Sequence, residues 1–140
     1  MAMQHELLVS RADAGALALM LGDRRRSHAL EAAAVGALAD LLSEARLVPD
    51  EALPGDRVAM NSLVTYEEQP GSVRRSVTLV FPIDSDPARG RVSVLSPIGL
   101  ALLGRAPGAV VEPPMPEGRS LRIRIVSLER AAPEALKEAA

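Results

Sequence analysis

Apolar residues recur at helical spacing through the first third of the chain. Ser10 is suited to cap a first helix, and Asp13 lies where a carboxylate supports that cap in the first turn. Gly22 is placed to end the helix. One side of the helix is apolar and consists of Ala14, Leu17, Ala18, Met20 and Leu21.

A second helical pattern follows the polar segment that begins at Asp23. Ser27 is suited to cap this helix, Glu31 lies in its favourable first turn, and Pro49 stops it. Its apolar residues are three or four positions apart: Leu30, Ala34, Leu38, Leu41, Leu42 and Ala45. At ~1.5 Å per residue the helix is roughly 28 Å long. Two helices joined by a short polar link predict an antiparallel hairpin.

After Pro49 the chain alternates apolar and polar positions, as strands do. Residues 57–60 and 62–66 indicate one strand or two short ones. Further strands are predicted at residues 73–81, 91–95 and 121–126. Pro97, suited to a first helical position, and Gly104, suited to follow the last one, predict a short helix between them.

Helices that precede strands predict an α+β fold with segregated elements. The expected architecture is an N-terminal antiparallel helical hairpin, a short coiled coil, followed by an antiparallel β-sheet domain with one short helix. We expect the hairpin over residues 1–50, the sheet domain over residues 51–130 and a flexible tail over residues 131–140.

Composition narrows the function classes. The chain has no cysteine, which excludes disulfides and thiolate chemistry. Its 16 basic and 18 acidic side chains give a formal net charge of −2, so no strong attraction to nucleic acid or to an anionic membrane is predicted. No apolar run approaches the ~20 residues that span a bilayer, and the N-terminal residues lack the pattern of a signal peptide. We therefore expect a soluble cytoplasmic protein without membrane contact.

Catalytic and metal-binding patterns are missing from the sequence. His5 and His28 lie in separate predicted elements without metal-ligand spacing. The serines lack a nucleophile-elbow sequence, and the glycines match neither a phosphate-binding loop nor a dinucleotide fingerprint. Tyr66 and Phe81 are the only aromatic residues, so little is available to stack on bases or to line a ligand pocket. We predict no enzyme activity, no catalytic residue, no metal and no cofactor.

The most specific motif in the chain is residues 96–104, SPIGLALLG. It resembles the signature of the C-terminal domain of the Gre transcript-cleavage factors, in which another glycine follows shortly, as Gly108 does here. The likeness covers about residues 53–129. The flanking segments that match are residues 54–58 and 116–118.

This resemblance to the Gre-factor superfamily implies an FKBP-like fold for the C-terminal domain, with a helical hairpin before it. It also implies docking on bacterial RNA polymerase near the secondary channel, with DNA and RNA met only indirectly through the polymerase. Residues 60–62 and 79–82 look more like the regulator of nucleoside diphosphate kinase (Rnk) than like the cleavage factors. We expect a monomer.

The predicted hairpin tip departs from the cleavage factors. It consists of Asp23, Arg24, Arg25 and Arg26. In the cleavage factors, two acidic residues at the tip help to hold a metal ion in the polymerase active site. A metal ion needs paired carboxylate oxygens, whereas one aspartate beside three guanidinium groups repels it. The hairpin is also shorter than theirs. We therefore predict polymerase binding without stimulation of transcript cleavage.

The predicted partner-binding residues are those that precede or open the motif helix, because the resemblance implies docking through this face: Ser96, Pro97, Ile98 and Gly99. For the leucines of the motif, packing on the sheet is the ordinary interpretation. The tip arginines form either a solvated loop or a contact with acidic groups or phosphate. Arg122 and Arg124, with Arg74, form either an ordinary exposed strand face or an RNA surface.

Three other functions stay open at the level of the sequence. An FKBP-like fold invites prolyl isomerase activity, but fold alone does not license it, and two aromatics are too few for such a pocket. A protein-interaction adaptor linked to nucleoside diphosphate kinase regulation is a second alternative. A homodimer through the apolar face of the hairpin is a third.

Overall fold

The computed structural model describes residues 6–22, 32–69, 71, 73–113, 115, 118 and 120–130. Within these residues, three α-helices and seven strands follow one another. The helices are α1 (Arg11–Gly22), α2 (Ala32–Glu44) and α3 (Pro97–Leu102). The strands are β1 (Leu8–Ser10), β2 (Arg46–Val48), β3 (Leu63–Gln69), β4 (Val73–Val80), β5 (Arg91–Ser93), β6 (Val110–Val111) and β7 (Arg122–Glu129). The predicted α+β class is confirmed, and the coiled-coil and FKBP-like details stay predictions.

The first helix begins as predicted. The N–H of Asp13 donates to Ser10 Oγ at 3.1 Å, and α1 ends at Gly22. The second helix ends earlier than predicted, at Glu44, and the chain enters β2 before it reaches Pro49. Strands β1 and β2 pair in parallel, and neither was predicted, because three residues are too few to show alternation. The predicted cap and first turn of the second helix lie outside the described residues.

The main sheet has the order β5-β4-β3-β7-β6. Strand β3 pairs antiparallel with both β4 and β7, and β6 pairs antiparallel with β7. Strand β5 runs parallel to β4, so the prediction of an entirely antiparallel sheet is wrong at this edge. The connection between these two strands contains the short 3₁₀ helices Pro82–Asp84 and Pro87–Arg89. It returns the chain to the starting end of the strand pair, so that β5 runs in the same direction as β4, whereas a tight hairpin would make the two strands antiparallel.

Residues 57–60 do not form the predicted strand. The N–H of Ala59 donates to Ser62 Oγ at 3.0 Å, and the N–H of Ser62 donates to the Ala59 carbonyl at 3.2 Å. Between them Asn61 has a φ of 68°, a left-handed conformation that asparagine tolerates better than most residues. These local hydrogen bonds form a turn in place of an extended strand.

One hydrophobic core joins the helices to the sheet. The fully buried Leu17 of α1 and Leu38 of α2 belong to the same cluster as Leu102 of α3 and Ile123 of β7. The helical residues in the described part therefore pack on the sheet domain and do not form a core of their own. No helix in the described part of the chain is long and apolar enough to cross a membrane.

Candidate functional site

Helix α3, which carries the sequence motif, is held at its start by Ser96. The hydroxyl of Ser96 accepts from the Gly99 N–H at 3.0 Å and donates to the Ser93 carbonyl at 2.7 Å. Pro97 lies in the first turn, as predicted, where its missing N–H leaves no hydrogen bond unmade. The serine of the motif therefore uses its hydroxyl within the protein.

Gly99 allows α3 to lie directly against the end of β5. A Cβ atom at this position would be 2.1 Å from the Ser93 carbonyl oxygen and 2.8 Å from Val94 Cα. Both are backbone atoms, so no side-chain rotation relieves the overlap. The buried Gly99 therefore has a packing role of its own.

Gly104 ends the motif where the sheet domain meets β1. Its φ is 81°, in the left-handed region that favours glycine. The N–H of Gly104 donates to the Val58 carbonyl at 3.0 Å, and its carbonyl accepts from the Leu8 N–H and from Arg57 Nη1, each at 3.2 Å. The last glycine of the motif thus joins the N-terminal segment to the sheet domain.

The four predicted partner-binding residues lie together at the start of α3. Ser96, Pro97 and Ile98 are half-buried, and Gly99 is buried. Because the Ser96 hydroxyl is already hydrogen-bonded, the side chains of Pro97 and Ile98 are the groups that remain for a partner. Their contact with a partner stays a prediction.

Asp13 connects α1 to the turn before β3. Its Oδ2 accepts from the Met60 N–H at 3.0 Å. The sequence had suggested that this carboxylate supports the cap in the first turn of α1, but it bonds to a residue that is distant in the chain. Burial raises the pKa of the Asp13 carboxyl; the Met60 hydrogen bond and the Arg130 charge oppose this rise, and the Asp50 charge adds to it. Asp50 also accepts from the Ala12 N–H at 2.9 Å. This partly buried carboxylate thus connects α1 to the sheet domain.

The three arginines considered as an RNA surface are occupied by acidic neighbours. Arg74 and Arg124 both approach Glu67 of β3, at 3.3 Å and 3.6 Å. Arg122 Nη2 is 3.0 Å from Glu112. The charge of this face is therefore largely compensated within the protein, which favours the interpretation as an ordinary exposed strand face.

A groove that was not predicted lies between α2, α3 and β6. It has a volume of about 460 Å³, and its lining residues are Ala37, Leu41, Leu100, Ala101, Arg105, Val110, Val111 and Glu112. Burial lowers the pKa of Arg105 in this groove, and its Nε atom is enclosed without a hydrogen-bond partner. In the sequence, Arg105 is marked only by its position directly after the motif, and that position alone does not predict a groove.

Several sequence predictions fall outside the described residues. The tip residues Asp23, Arg24, Arg25 and Arg26 do so, as do His5 and His28. Within the part of the chain that the structure describes, no group of three or more histidine, aspartate or glutamate side chains is arranged to hold a metal ion.

The fold and the motif helix together define a class of protein. In this class a mixed sheet domain shares one hydrophobic core with two N-terminal helices, and a glycine-containing helix packs against an edge strand of the sheet. Residues 53–130 match the family described as transcription elongation factor, GreA/GreB, C-term. The chain belongs to this family, as the motif predicted. The likeness of short segments to Rnk stays a prediction.

Individual relatives agree with this assignment. The solved structure of the prokaryotic transcription elongation factor GreA/GreB from Nitrosomonas europaea is 34% identical, with a TM-score of 0.71 over 89% of this chain and 98% of that chain. Transcription elongation factor GreA of Macrococcus caseolyticus is 34% identical over 88 residues, which are 63% of this chain and 55% of the relative. GreA of Leuconostoc mesenteroides is 28% identical over 93 residues, 66% of this chain and 58% of the relative. The chain thus spans little more than half the length of these GreA relatives.

Proposed function

We propose that this protein is a transcription regulator that binds RNA polymerase near its secondary channel. The observation that carries the proposal is the family match over residues 53–130, the part that contains the motif helix and its packing against β5. Pro97 and Ile98, side by side at the start of α3, offer a small apolar surface of the kind that protein partners contact. Such a function places the protein in the cytoplasm, where polymerase acts.

We further propose that binding does not stimulate transcript cleavage and that the protein is not an enzyme. The tip sequence carries one aspartate, Asp23, next to three arginines, and this composition disfavours the binding of a second metal ion. The action is then steric and electrostatic: the protein occupies the channel entrance and competes with other factors that dock there. No covalent bond is made or broken.

The positions of the two aromatic side chains disfavour prolyl isomerase activity. Tyr66 is only 4% exposed and belongs to the hydrophobic core, together with aliphatic side chains such as Val64, Leu79 and Leu102. Phe81 is half-buried at the edge of the same core. Because these aromatic rings take part in core packing, they are poorly placed to line a pocket for a proline ring.

The test is a binding and competition assay with purified bacterial RNA polymerase and a Gre cleavage factor, with a backtracked elongation complex to report cleavage. Ile98→Asp is expected to weaken binding roughly tenfold or more, because it places a charge in an apolar contact. Val73→Asp is the matched control, since Val73 is 56% exposed at the end of β4 away from β5. Mutual displacement without cleavage supports the proposal. Absence of binding by the unmodified protein refutes it.

A further inference from the structure

The groove between α2, α3 and β6 contains a positive charge without a counter-charge among the described residues. Arg105 lines it, the Arg105 Nε atom is enclosed and unbonded, and no ion pair within the described ranges includes Arg105. The acidic residue that shares the groove, Glu112, is paired with Arg122 on the neighbouring strand. The described part of the chain therefore offers this guanidinium no compensating charge.

An uncompensated, partly buried guanidinium lowers the stability of the free protein. Removing charge from water is unfavourable unless hydrogen bonds or an opposite charge replace the water, and burial is the cause that lowers the Arg105 pKa. The backbone of Arg105 is well bonded: its N–H donates to Leu102 and its carbonyl accepts from Val58. The unfavourable feature is thus confined to the side chain, and an external carboxylate would remove it.

The shape and lining of the groove indicate which kind of partner supplies that carboxylate. Leu41, Leu100 and Val110 give it aliphatic walls. Among the described residues no aromatic side chain lines it, so none of them stacks a nucleobase there. Val110 is 52% exposed, so the groove is open along β6 and encloses too little of a small molecule for tight binding. A protein segment with an acidic residue beside aliphatic ones matches both the charge and the walls.

We propose that this groove is a second docking site, which receives an aspartate or glutamate flanked by aliphatic residues from RNA polymerase. The inference rests on the proposed function. It differs from the predicted contact at the start of α3, because the groove uses Leu100 and Ala101 from the middle of that helix together with α2. Docking here also involves both the helices and the sheet domain, and so fixes the two parts against one partner.

The experiment compares Arg105→Met with the unmodified protein, by thermal unfolding and by equilibrium binding to purified RNA polymerase at two salt concentrations. Arg105→Met is expected to raise the melting temperature by about 3 °C, because an apolar chain of similar length replaces an unpaired charge. It is expected to weaken polymerase binding roughly 10- to 100-fold and to reduce its salt dependence. Arg89→Met, at a position whose side chain is 77% exposed, is the matched control and should change neither.

A second variant tests the groove without removing the arginine. Val110→Asp places a carboxylate at the exposed edge of the groove, where it competes with the partner's acidic residue for Arg105. It should weaken polymerase binding without lowering the melting temperature.

Two results would overturn this inference but leave the proposed function standing. In the first, Arg105→Met binds polymerase as tightly as the unmodified protein does. In the second, Arg105→Met loses melting temperature and affinity together, which indicates a structural role for Arg105. If the unmodified protein itself fails to bind, the proposed function falls and this inference falls with it.

Discussion

Substitution of Gly99 by alanine is the sharpest test of how the motif helix is held. The added Cβ would be 2.1 Å from the Ser93 carbonyl oxygen, and ordinary contact needs roughly 3.5 Å. The backbone of α3 or of the segment after β5 must therefore move by more than about 1 Å. That movement stretches two hydrogen bonds: the one from the Val94 N–H to the Val80 carbonyl and the one from the Ser96 N–H to the Ser93 carbonyl, each 2.9 Å long.

The expected loss of stability lies at the upper end of the range for overpacked sites. Extra methyl groups in packed cores cost about 1–3 kcal/mol when side chains absorb the strain. Here the obstacle is backbone, so we expect Gly99→Ala to lower the free energy of unfolding by about 3 kcal/mol. For a chain of this size this corresponds to a fall in melting temperature of roughly 10 °C.

The assay is urea unfolding monitored by far-UV circular dichroism, with Gly36→Ala as the matched control. Gly36 lies on the exposed side of α2 and a Cβ there meets nothing within 4 Å. Alanine at position 36 should raise the free energy of unfolding by about 0.5–1 kcal/mol, through helix propensity. A Gly99→Ala protein within about 0.5 kcal/mol of the unmodified one would refute the close packing of α3 on β5.

Predictions at three further residues concern hydrogen bonds and charge. Asp13→Ala leaves the buried Met60 N–H without its acceptor and should cost about 1–3 kcal/mol in urea unfolding. Burial raises the Asp13 pKa above 3.8, so ionisation of this carboxyl opposes folding. The contribution of Asp13 to the free energy of unfolding therefore falls as the pH rises from about 3.8 through the folded-state pKa. Across that pH range, the stability of Asp13→Asn should rise relative to that of the unmodified protein. Ser96→Ala removes the cap of α3 and should cost about 1 kcal/mol by the same measurement. Glu67→Gln weakens the pairs with two arginines and should cost about 0.5 kcal/mol at low salt and less at high salt.

Each of these predictions has its own control. Asp13→Asn keeps an acceptor oxygen for Met60, so a loss as large as that of Asp13→Ala would contradict the hydrogen-bond account. Ser120→Ala, at an exposed serine, should leave the free energy of unfolding unchanged where Ser96→Ala lowers it. A Glu67→Gln effect that does not change with salt would show that packing, and not charge, explains the loss.

The sequence alone determined the features that depend on neighbours within a few positions. Ser10 capped α1, and Pro97 marked the start of α3, because a capping hydroxyl and a fixed φ act on the adjacent turn. The long strands β4 and β7 also showed in the alternation of the chain, since each has enough residues to repeat the period of two. The motif that identified the family is likewise a contiguous run of residues.

Only the tertiary structure decided features that join distant parts of the chain. Asp13 finds its partner Met60 at a separation of 47 positions, so its carboxylate leaves the first turn that local reasoning assigned to it. Arg74 and Arg124 meet at Glu67 because β3 lies between their strands, and pairing of this kind depends on register. The groove around Arg105 exists because three separate elements converge there. Local patterns determine which element forms. Burial and the choice of hydrogen-bond or ion-pair partner depend on how the elements pack, and the local hydrophobic periodicity of the sequence does not contain that information.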